Sequence, residues 1–336
     1  MSNQLLSMEE ATGLARDVLL ATRTSPENAT IVAEALVAAE LDGIGSHGLA
    51  RLLAYADQAE VGKVDGFAMP TVTRPAAAVV RVDARNGFAF PAIRAGLAAM
   101  EERLGECGIV ALSILRSHHC GVAGHHVEHL ARRGLVAIMF ANSPAAMAPA
   151  GGRIASYGTN PIAFAAPTAD EPIVVDLSLS EAARGKIVVA SQRGEPIPEG
   201  WALDAEGRPT TDAKAALAGT VLPLGGAKGA ALALMVEILS ATLTGASHAF
   251  EATSFLDAEG GPPGVGQLIL AFDPAAFGDH FPERIETLLA HAFGQEGTRR
   301  PGARRFALRR KHLAEGFPID AALHRRILQR LGCPAG

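Results

Sequence analysis

The chain has 336 residues, 49% of them hydrophobic and 19% charged, with a formal net charge of −5. That length favours two domains, each able to bury a core of its own, and the composition excludes a disordered chain. The charge balance leaves no basic footprint for nucleic acid, and no apolar stretch is long enough to span a bilayer. Cys107, Cys120 and Cys333 have no paired spacing, so no disulfide framework is expected. The N-terminal MSNQLLSMEEATGLARDVLL lacks a basic segment followed by an apolar one, so it does not read as a signal peptide. A cytoplasmic protein is expected.

Ser7-Met-Glu-Glu10 is a capping-box start to a first helix. Thr24-Ser-Pro-Glu27 starts a second, with proline in its first turn, running through Ile31 to Glu40. Asp42-Gly-Ile-Gly-Ser-His-Gly48 breaks the pattern, and a further helical stretch follows from Leu49 to about Gln58. Ala78 to Asp83 alternates like a strand, Pro91 to Leu104 reads as a helix, and Ile109 to Ile114 as a short buried strand. A helix from Val122 to Arg133 and a strand from Val136 to Phe140 come next, then strands at Ile162–Ala166, Ile173–Asp176 and Leu268–Phe272. The segment from the 190s to Thr211, with Pro196, Pro198 and Pro209, reads as an extended loop or hairpin. Gly229 to Leu243 is a nearly all-apolar helix, expected to be buried. Strands alternating with helices imply an α/β chain with a largely parallel, or mixed, layered sheet. No strand is followed by G-x-G-x-x-G with an acidic residue about twenty positions on, so any dinucleotide is held by another route.

Five of the eleven histidines fall between His118 and His129. His125 and His129 would share a helix face as metal ligands often do, but no H-E-x-x-H is present, and a polar helix surface or interface is the favoured reading of His125, His126 and His129. His118 and His119 differ because they follow a strand, at the sheet edge where ligands bind and where a histidine can move a proton near neutrality. Ser46, His47 and Arg51 place a hydroxyl, an imidazole and a guanidinium near a helix start. A 2-oxo acid needs a proton donor for its carbonyl oxygen and a cation for its carboxylate, and the arginine fork suits the second task. The plainer alternative is Ser46 as a helix cap with a surface arginine. Tyr157-Gly-Thr-Asn-Pro161 is a turn whose amides and Thr159 hydroxyl could meet an anion, although a simple turn is favoured. Leu224-Gly-Gly-Ala-Lys-Gly229 offers glycines and a lysine at a helix N-terminus, a plausible phosphate site without Walker spacing. Arg299-Arg-Pro-Gly-Ala-Arg-Arg305, as a bare charge run, reads as solvated surface.

Taken together, the order and spacing of these elements resemble the malate/L-lactate dehydrogenase family. That family lacks the Rossmann fold. It also contains sulfolactate and ureidoglycolate dehydrogenases, diketogulonate reductase, and Δ1-piperideine-2-carboxylate/Δ1-pyrroline-2-carboxylate reductases. The matching motifs are Ser46-His-Gly with Arg51, Ser117-His-His-Cys-Gly121, Gly158-Thr-Asn-Pro161, Asp176 through Gly185-Lys186, Gly225-Gly-Ala-Lys-Gly229 and Pro301-Gly302. The resemblance spans nearly the whole chain, from the first helices to Arg305.

The resemblance implies an α/β, non-classical dinucleotide-binding fold with a mixed layered sheet plus a helical N-terminal/C-terminal domain. Residues 1–115 with 285–336 would form the helical, substrate and dimerisation domain, and 116–284 the dinucleotide-binding domain. It implies a homodimer with the active site near the interface. The implied reaction is NAD(P)-dependent hydride transfer at the 2-position of a small 2-oxo/2-hydroxy acid. The alternative is reduction of a cyclic imine to L-proline or L-pipecolate. His47 would protonate the substrate with Ser46 beside it, His119 would lie against the nicotinamide, and Lys186 would complete the catalytic group. Arg51, Thr159, Arg184 and Gly185 would bind the carboxylate substrate. His119, Cys120, Gly121, Asp176, Leu177, Ser178, Lys228, Pro301, Gly302, Arg304 and Arg305 would meet the dinucleotide. No metal site is expected.

Three departures from the family pattern matter. Cys120 replaces the usual phenylalanine. Lys186 stands where the cyclic-imine reductases have an aspartate, which favours the oxo acid. Ala303 replaces a common glutamate beside Arg304 and Arg305, which favours NADPH over NADH by simple electrostatics. A metal-dependent hydrolase or a non-catalytic binding protein would be competing classes. Retention of His47, Arg51, His119 and Lys228 favours the oxidoreductase.

Overall fold

The computed structural model describes residues 4–333. The chain opens with β1 (Gln4–Leu6), α1 (Met8–Leu20) and α2 (Pro26–Leu41). Both helices start as their sequences dictate. Ser7 and Glu10 close a reciprocal capping box, and the Ser25 hydroxyl accepts from Asn28 N with Pro26 in the first turn. Two 3₁₀ turns, Gly45–His47 and Leu49–Arg51, lead into α3 (Leu52–Glu60).

The middle of the chain runs β2 (Thr71–Ala76), β3 (Val79–Asp83), α4 (Ala89–Cys107), β4 (Ile109–Ser117), α5 (Ala123–Ala131), β5 (Val136–Ala141), β6 (Ile162–Ala166) and β7 (Ile173–Leu177). Then come α6 (Arg184–Arg193), β8 (Ala202–Leu203), β9 (Pro209–Thr210), α7 (Ala213–Ala218), β10 (Thr220–Val221) and α8 (Ala227–Glu237). The last elements are β11 (Val265–Phe272), α9 (Phe281–Phe293), α10 (Ala303–Glu315), β12 (Phe317–Ile319) and α11 (Ala321–Arg330).

Seven strands form one mixed sheet in the order β2-β3-β4-β11-β5-β6-β7. Of the two arrangements expected, the mixed one holds: among the described strands of this sheet β3 and β4, joined through α4, pair parallel, and every other neighbour is antiparallel. The reason is β11. It arrives from far along the chain and inserts between β4 and β5, so those two strands share a direction without touching. The division expected at residue 115/116 falls inside β4, and one sheet takes strands from both sides of it.

Three cores hold the layers. α4 and α5 bury Ile93, Met100, Val127 and Leu130 against sheet residues such as Leu112, Ile114 and Ile269. A helical core packs α1, α2 and α3 with Phe88, Phe317 and Ile327, and β1 pairs antiparallel with β12 to bring the C-terminal segment onto the first helices. The third core sets Phe140 and Leu268 against α8 and the small β10-β8-β9 sheet. The proline-rich stretch after α6 thus contains a hairpin, while α6 itself reaches back to Arg184.

The apolar stretch from Gly229 to Leu243 is not buried as expected. α8 ends at Glu237 and continues as a π turn, Ile238–Thr242. Ala233 and Val236 face the core, but Leu232, Leu234, Met235, Ile238 and Leu243 are between 38% and 66% exposed. One side packs on the sheet and the other is left partly exposed among the described residues. No helix among the described residues is long and apolar enough to cross a membrane.

Candidate functional site

The turn after α2 is shaped by a carboxylate. Glu40 Oε1 accepts from Leu49 N at 2.7 Å, and a Cβ on Gly48 would lie 2.3 Å from that oxygen. Glycine at 48 lets the backbone close over Glu40 without displacing its side chain, and burial pushes the Glu40 carboxyl up. The turn so formed presents Ser46 and His47, with Ser46 Oγ 3.0 Å from His47 Nδ1. Arg51 Nε donates to Ser46 O at 2.7 Å, which folds the guanidinium back over the turn. Ser46 therefore does not cap a helix; Arg51 itself occupies the N-cap position of α3.

β4 extends to Ser117, and His118 and His119 leave the sheet directly after it. The His119 ring stacks on His47, with centroids 5.3 Å apart and planes at 30°. Its Nδ1 lies 2.5 Å from the hydroxyl of Tyr55, a fully buried residue of α3. The Phe255 ring packs on it at 5.1 Å. His118 points into the core. Its Nε2 meets Gln58 Oε1 at 2.9 Å, and Tyr55, Phe88 and Phe255 surround the ring edge-on. Burial, reinforced by the nearby Arg51 charge, lowers His47 to about 4. Burial lowers His118 to about 3 and holds His119 well below the usual imidazole range. All three imidazoles are neutral at pH 7.

The segment carrying Phe255 is tied down from α3. Gln58 Nε2 donates to Phe255 O at 2.9 Å. The buried Lys63 ammonium donates to Glu259 O at 2.6 Å and Asp257 O at 3.1 Å.

The loops expected to meet a dinucleotide form a second group. Cys120 is buried, its thiol pushed up to about 12 by burial, and its carbonyl accepts from His126 Nε2 at 2.8 Å. Gly121 has φ +67°, where a Cβ would strike the Phe90 ring at 2.8 Å. Asp176 Oδ2 accepts from Gly124 N at 2.8 Å, joining the end of β7 to the first turn of α5. Leu177 is exposed, and Ser178 Oγ lies 3.0 Å from Ser180 Oγ. Thr159 O accepts from Leu179 N, and Leu179 O accepts from Leu224 N, each at 2.8 Å, which sets Thr159 beside the turn before α8. In that turn Gly225 and Gly226 have φ +66° and +67° with open space where a Cβ would stand. Lys228 is exposed on the first turn of α8. Pro301 and Gly302 precede α10, with Gly302 at φ +88°.

Helix starts divide in a telling way. α1, α2, α7 and α11 are capped by side chains of Ser7, Ser25, Asp212 and Asp320. α6, α8 and α10, which begin at ligand loops expected from sequence, carry no side-chain cap, nor do α3, α4 and α9, whereas the first turn of α5 is met by the Asp176 carboxylate. Uncapped amides at the positive ends of helices, open glycine edges and a lysine fit an anionic diphosphate.

Other residues singled out in the sequence find partners elsewhere. Arg305 Nη2 lies 2.5 Å from Glu128 Oε2, and its Nε 3.1 Å from Asp42 Oδ2, so its charge is engaged inside the protein. Arg304 is exposed. Arg184 Nη2 donates to Leu217 O at 3.0 Å. Lys186 is exposed with Nζ 5.7 Å over the Trp201 ring, and its neighbour Gly185 is exposed too. Among the described contacts, none joins Arg184, Gly185 or Lys186 to His47 or His119. His125 binds Asp42 at 2.8 Å and His129 binds Glu101 at 3.1 Å. With His126 they line a groove of about 780 Å³ between α2, α4 and α5. No group of three or more His, Cys, Asp or Glu among the described residues is placed to hold a metal ion.

The sequence reading missed Glu40, Tyr55, Gln58 and Phe255. Tyr55 lies four residues after Arg51, on the same side of the helix, so spacing could have found it. A carboxylate at Glu40, in an otherwise apolar run, was a signal too. Phe255 gave none, because it reaches His119 from a distant segment.

A family model described as malate/L-lactate dehydrogenase matches residues 6–328. The chain is 54% identical to a (2R)-3-sulfolactate dehydrogenase (NADP(+)) of Chromohalobacter salexigens, over 92% of this chain and 93% of that one. It is 40% identical to a Δ1-pyrroline-2-carboxylate reductase of Ancylobacter novellus, over 97% of each. The crystal structure of Δ1-piperideine-2-carboxylate reductase from Pseudomonas syringae superposes with a TM-score of 0.91 at 40% identity, covering 97% of this chain and 99% of that one.

Proposed function

This chain belongs to the malate/L-lactate dehydrogenase family, and on that premise we propose that it is an NADP(H)-dependent dehydrogenase of small 2-hydroxy acids. The observation that carries the reading is the stacked His47–His119 pair with Arg51 folded against the same turn. Hydride exchange is the chemistry that the nicotinamide supplies when bound. The protein supplies orientation, a proton site and a carboxylate clamp.

His47 is neutral in the free protein, so in oxidation it takes the hydroxyl proton and in reduction it returns one. Ser46 engages Nδ1, which leaves Nε2 for the substrate. Among the described hydrogen bonds Arg51 uses its Nε, on Ser46 O, and its terminal amino groups suit a carboxylate fork. A bound carboxylate also offsets the Arg51 charge and raises the His47 pKa toward the range where it carries a proton. Thr159 stands beside the turn before α8 to contact the substrate. The open starts of α8 and α10, with Lys228, suit the diphosphate, and Asp176, Leu177 and Ser178 the attached ribose. Arg304, next to Ala303, is the guanidinium available to a 2′-phosphate, because Arg305 is occupied by Glu128 and Asp42.

An oxo acid bearing a second anion, as in 3-sulfolactate, fits best. It is supported by the 54% relative. Cyclic imines are the second reading, supported by relatives at 40%. The exposed apolar face of α8, whose first turn carries Lys228, supports a homodimer with the site near the interface. A cytoplasmic location is part of the same proposal, in keeping with three free cysteines.

The test is NADPH and NADH oxidation with sulfopyruvate, oxaloacetate, pyruvate, Δ1-pyrroline-2-carboxylate and Δ1-piperideine-2-carboxylate. We expect an oxo acid to exceed both imines in kcat/KM by about tenfold or more, with NADPH preferred. Faster turnover of an imine would overturn the substrate assignment, and a strong NADH preference the cofactor assignment.

A further inference from the structure

We propose that Tyr55 is a positioning residue that holds His119 as its Nε2–H tautomer and thereby assigns the exchangeable proton of the stacked pair to His47. The proposal rests on the hydride-transfer reading above for its consequence in catalysis, but not for its structural content.

The Tyr55 hydroxyl is fully buried, and its one described partner is His119 Nδ1 at 2.5 Å. A phenol carries one proton. If Nδ1 were protonated and donating, the phenol proton would have no acceptor in an apolar surround, at the cost of a buried unmet donor. The phenol therefore donates to Nδ1, and the imidazole proton sits on Nε2. Burial raises the Tyr55 pKa, so the phenol keeps its proton throughout the working pH range.

The next turn of α3 repeats the device. Gln58 gives its amide hydrogens to Phe255 O, which turns Oε1 toward His118 Nε2 and makes that ring an Nε2–H donor as well. Phe255 then packs on both imidazoles, at 5.2 Å from His118 and 5.1 Å from His119. Two residues of one helix thus set two adjacent histidines in the same tautomer.

The consequence is an asymmetry between His119 and His47. Protonating His119 at Nδ1 displaces the phenol hydrogen bond. It also places charge beside Arg51 and His47 from the 3₁₀ turns and beside His118 on its own strand end. Tyr55 from α3 and Cys120 on the adjoining loop are both neutral there, and Phe255 brings no compensating charge. His47 meets the same Arg51 charge, and His125 beside it, but loses no hydrogen bond on protonation at Nδ1, because the Ser46 hydroxyl can donate or accept by rotating. Only one of two stacked imidazoles readily carries a proton, and the hydrogen bonds select His47. His119 is left as a neutral donor aimed at the substrate from Nε2.

Tyr55→Phe tests this, because it removes the hydroxyl and leaves the ring packed on Phe88 and His118. Nitrogen-15 shifts of the imidazoles in the wild-type protein should show His119 unprotonated at Nδ1 from pH 5 to 9. In Tyr55→Phe, His119 should become a tautomer mixture. With an accepted substrate, kcat should fall between about ten- and a hundredfold with little change in KM, and the pH profile should gain a second titration. A wild-type His119 bearing its proton on Nδ1 would overturn the proposal. So would a Tyr55→Phe protein with unchanged shifts and pH profile. The spectroscopic arm needs no substrate, so absence of turnover would count against the functional reading and leave the tautomer assignment standing on its own result.

Discussion

At the scale of single residues, the site depends on how closely backbone and carboxylate approach. The distance of 2.3 Å between a Cβ on Gly48 and Glu40 Oε1 is far inside contact, and Leu49 N keeps Glu40 in place. Gly48→Ala must therefore move either the turn or the carboxylate, and His47 moves with it. We expect kcat/KM to fall about a hundredfold, as small misplacements of reacting groups do. NADPH affinity, read by fluorescence titration, should be nearly unchanged because the dinucleotide loops are elsewhere in the chain. A variant with normal kcat/KM would show that the turn tolerates the shift. His47, Arg51 and His119 were singled out by their chemistry together with the family motifs they match, and the structure stacks His119 on His47 and folds Arg51 against the same turn. Tyr55 was not legible as a partner of His119, since nothing in the chain announces which buried phenol meets which imidazole across 64 positions.

Among the elements, the tie between α2, α5 and α10 is electrostatic. Asp42 ends α2, Glu128 lies within α5, and Arg309 of α10 reaches both, with distances of 2.6 Å to Asp42 Oδ1 and 2.6 Å to Glu128 Oε1. Burial alone would raise both carboxyls, but hydrogen bonds from Arg309, with His125 on Asp42 and Arg132 on Glu128, hold them below the usual carboxylate range. Removing one partner from such a group leaves buried charge uncompensated. We expect Arg309→Met to cost about 3 kcal/mol, read as a lower urea midpoint with an unchanged slope. A shift within error would mean that Arg305 and Arg132 compensate fully. The same network explains why the basic run near the C-terminus is not simply solvated surface: Arg305 and Arg309 are drawn inward, while Arg304 stays out. Helix starts were readable from Ser7 and Ser25 because a cap acts within three residues. The two-residue strands β8, β9 and β10 were not, because such short pairs take their form from what packs on them.

For the whole molecule, the sheet order and the α8 surface matter most. The apolar residues left 38% to 66% exposed on and after α8 are the kind of surface on which the proposed dimer interface rests. Light scattering should give twice the 34.7 kDa chain mass for the wild-type protein. The double variant Met235→Glu, Ile238→Glu should run as a monomer with reduced activity. A wild-type monomer would overturn the dimer proposal, and an undisturbed double variant would move the interface to another face.

Periodicity, capping and turn chemistry act over one or two helical turns, and so the chain by itself determined most helices and the longer strands, while its motifs offered His47, Arg51 and His119 as candidates. Tertiary structure alone decided which distant segments meet. It inserted β11 between β4 and β5, turned one side of an apolar helix outward, took Arg305 for Asp42 and Glu128, and set Tyr55 against His119. Those outcomes depend on pair contacts between residues far apart in sequence, and local propensity carries no record of them.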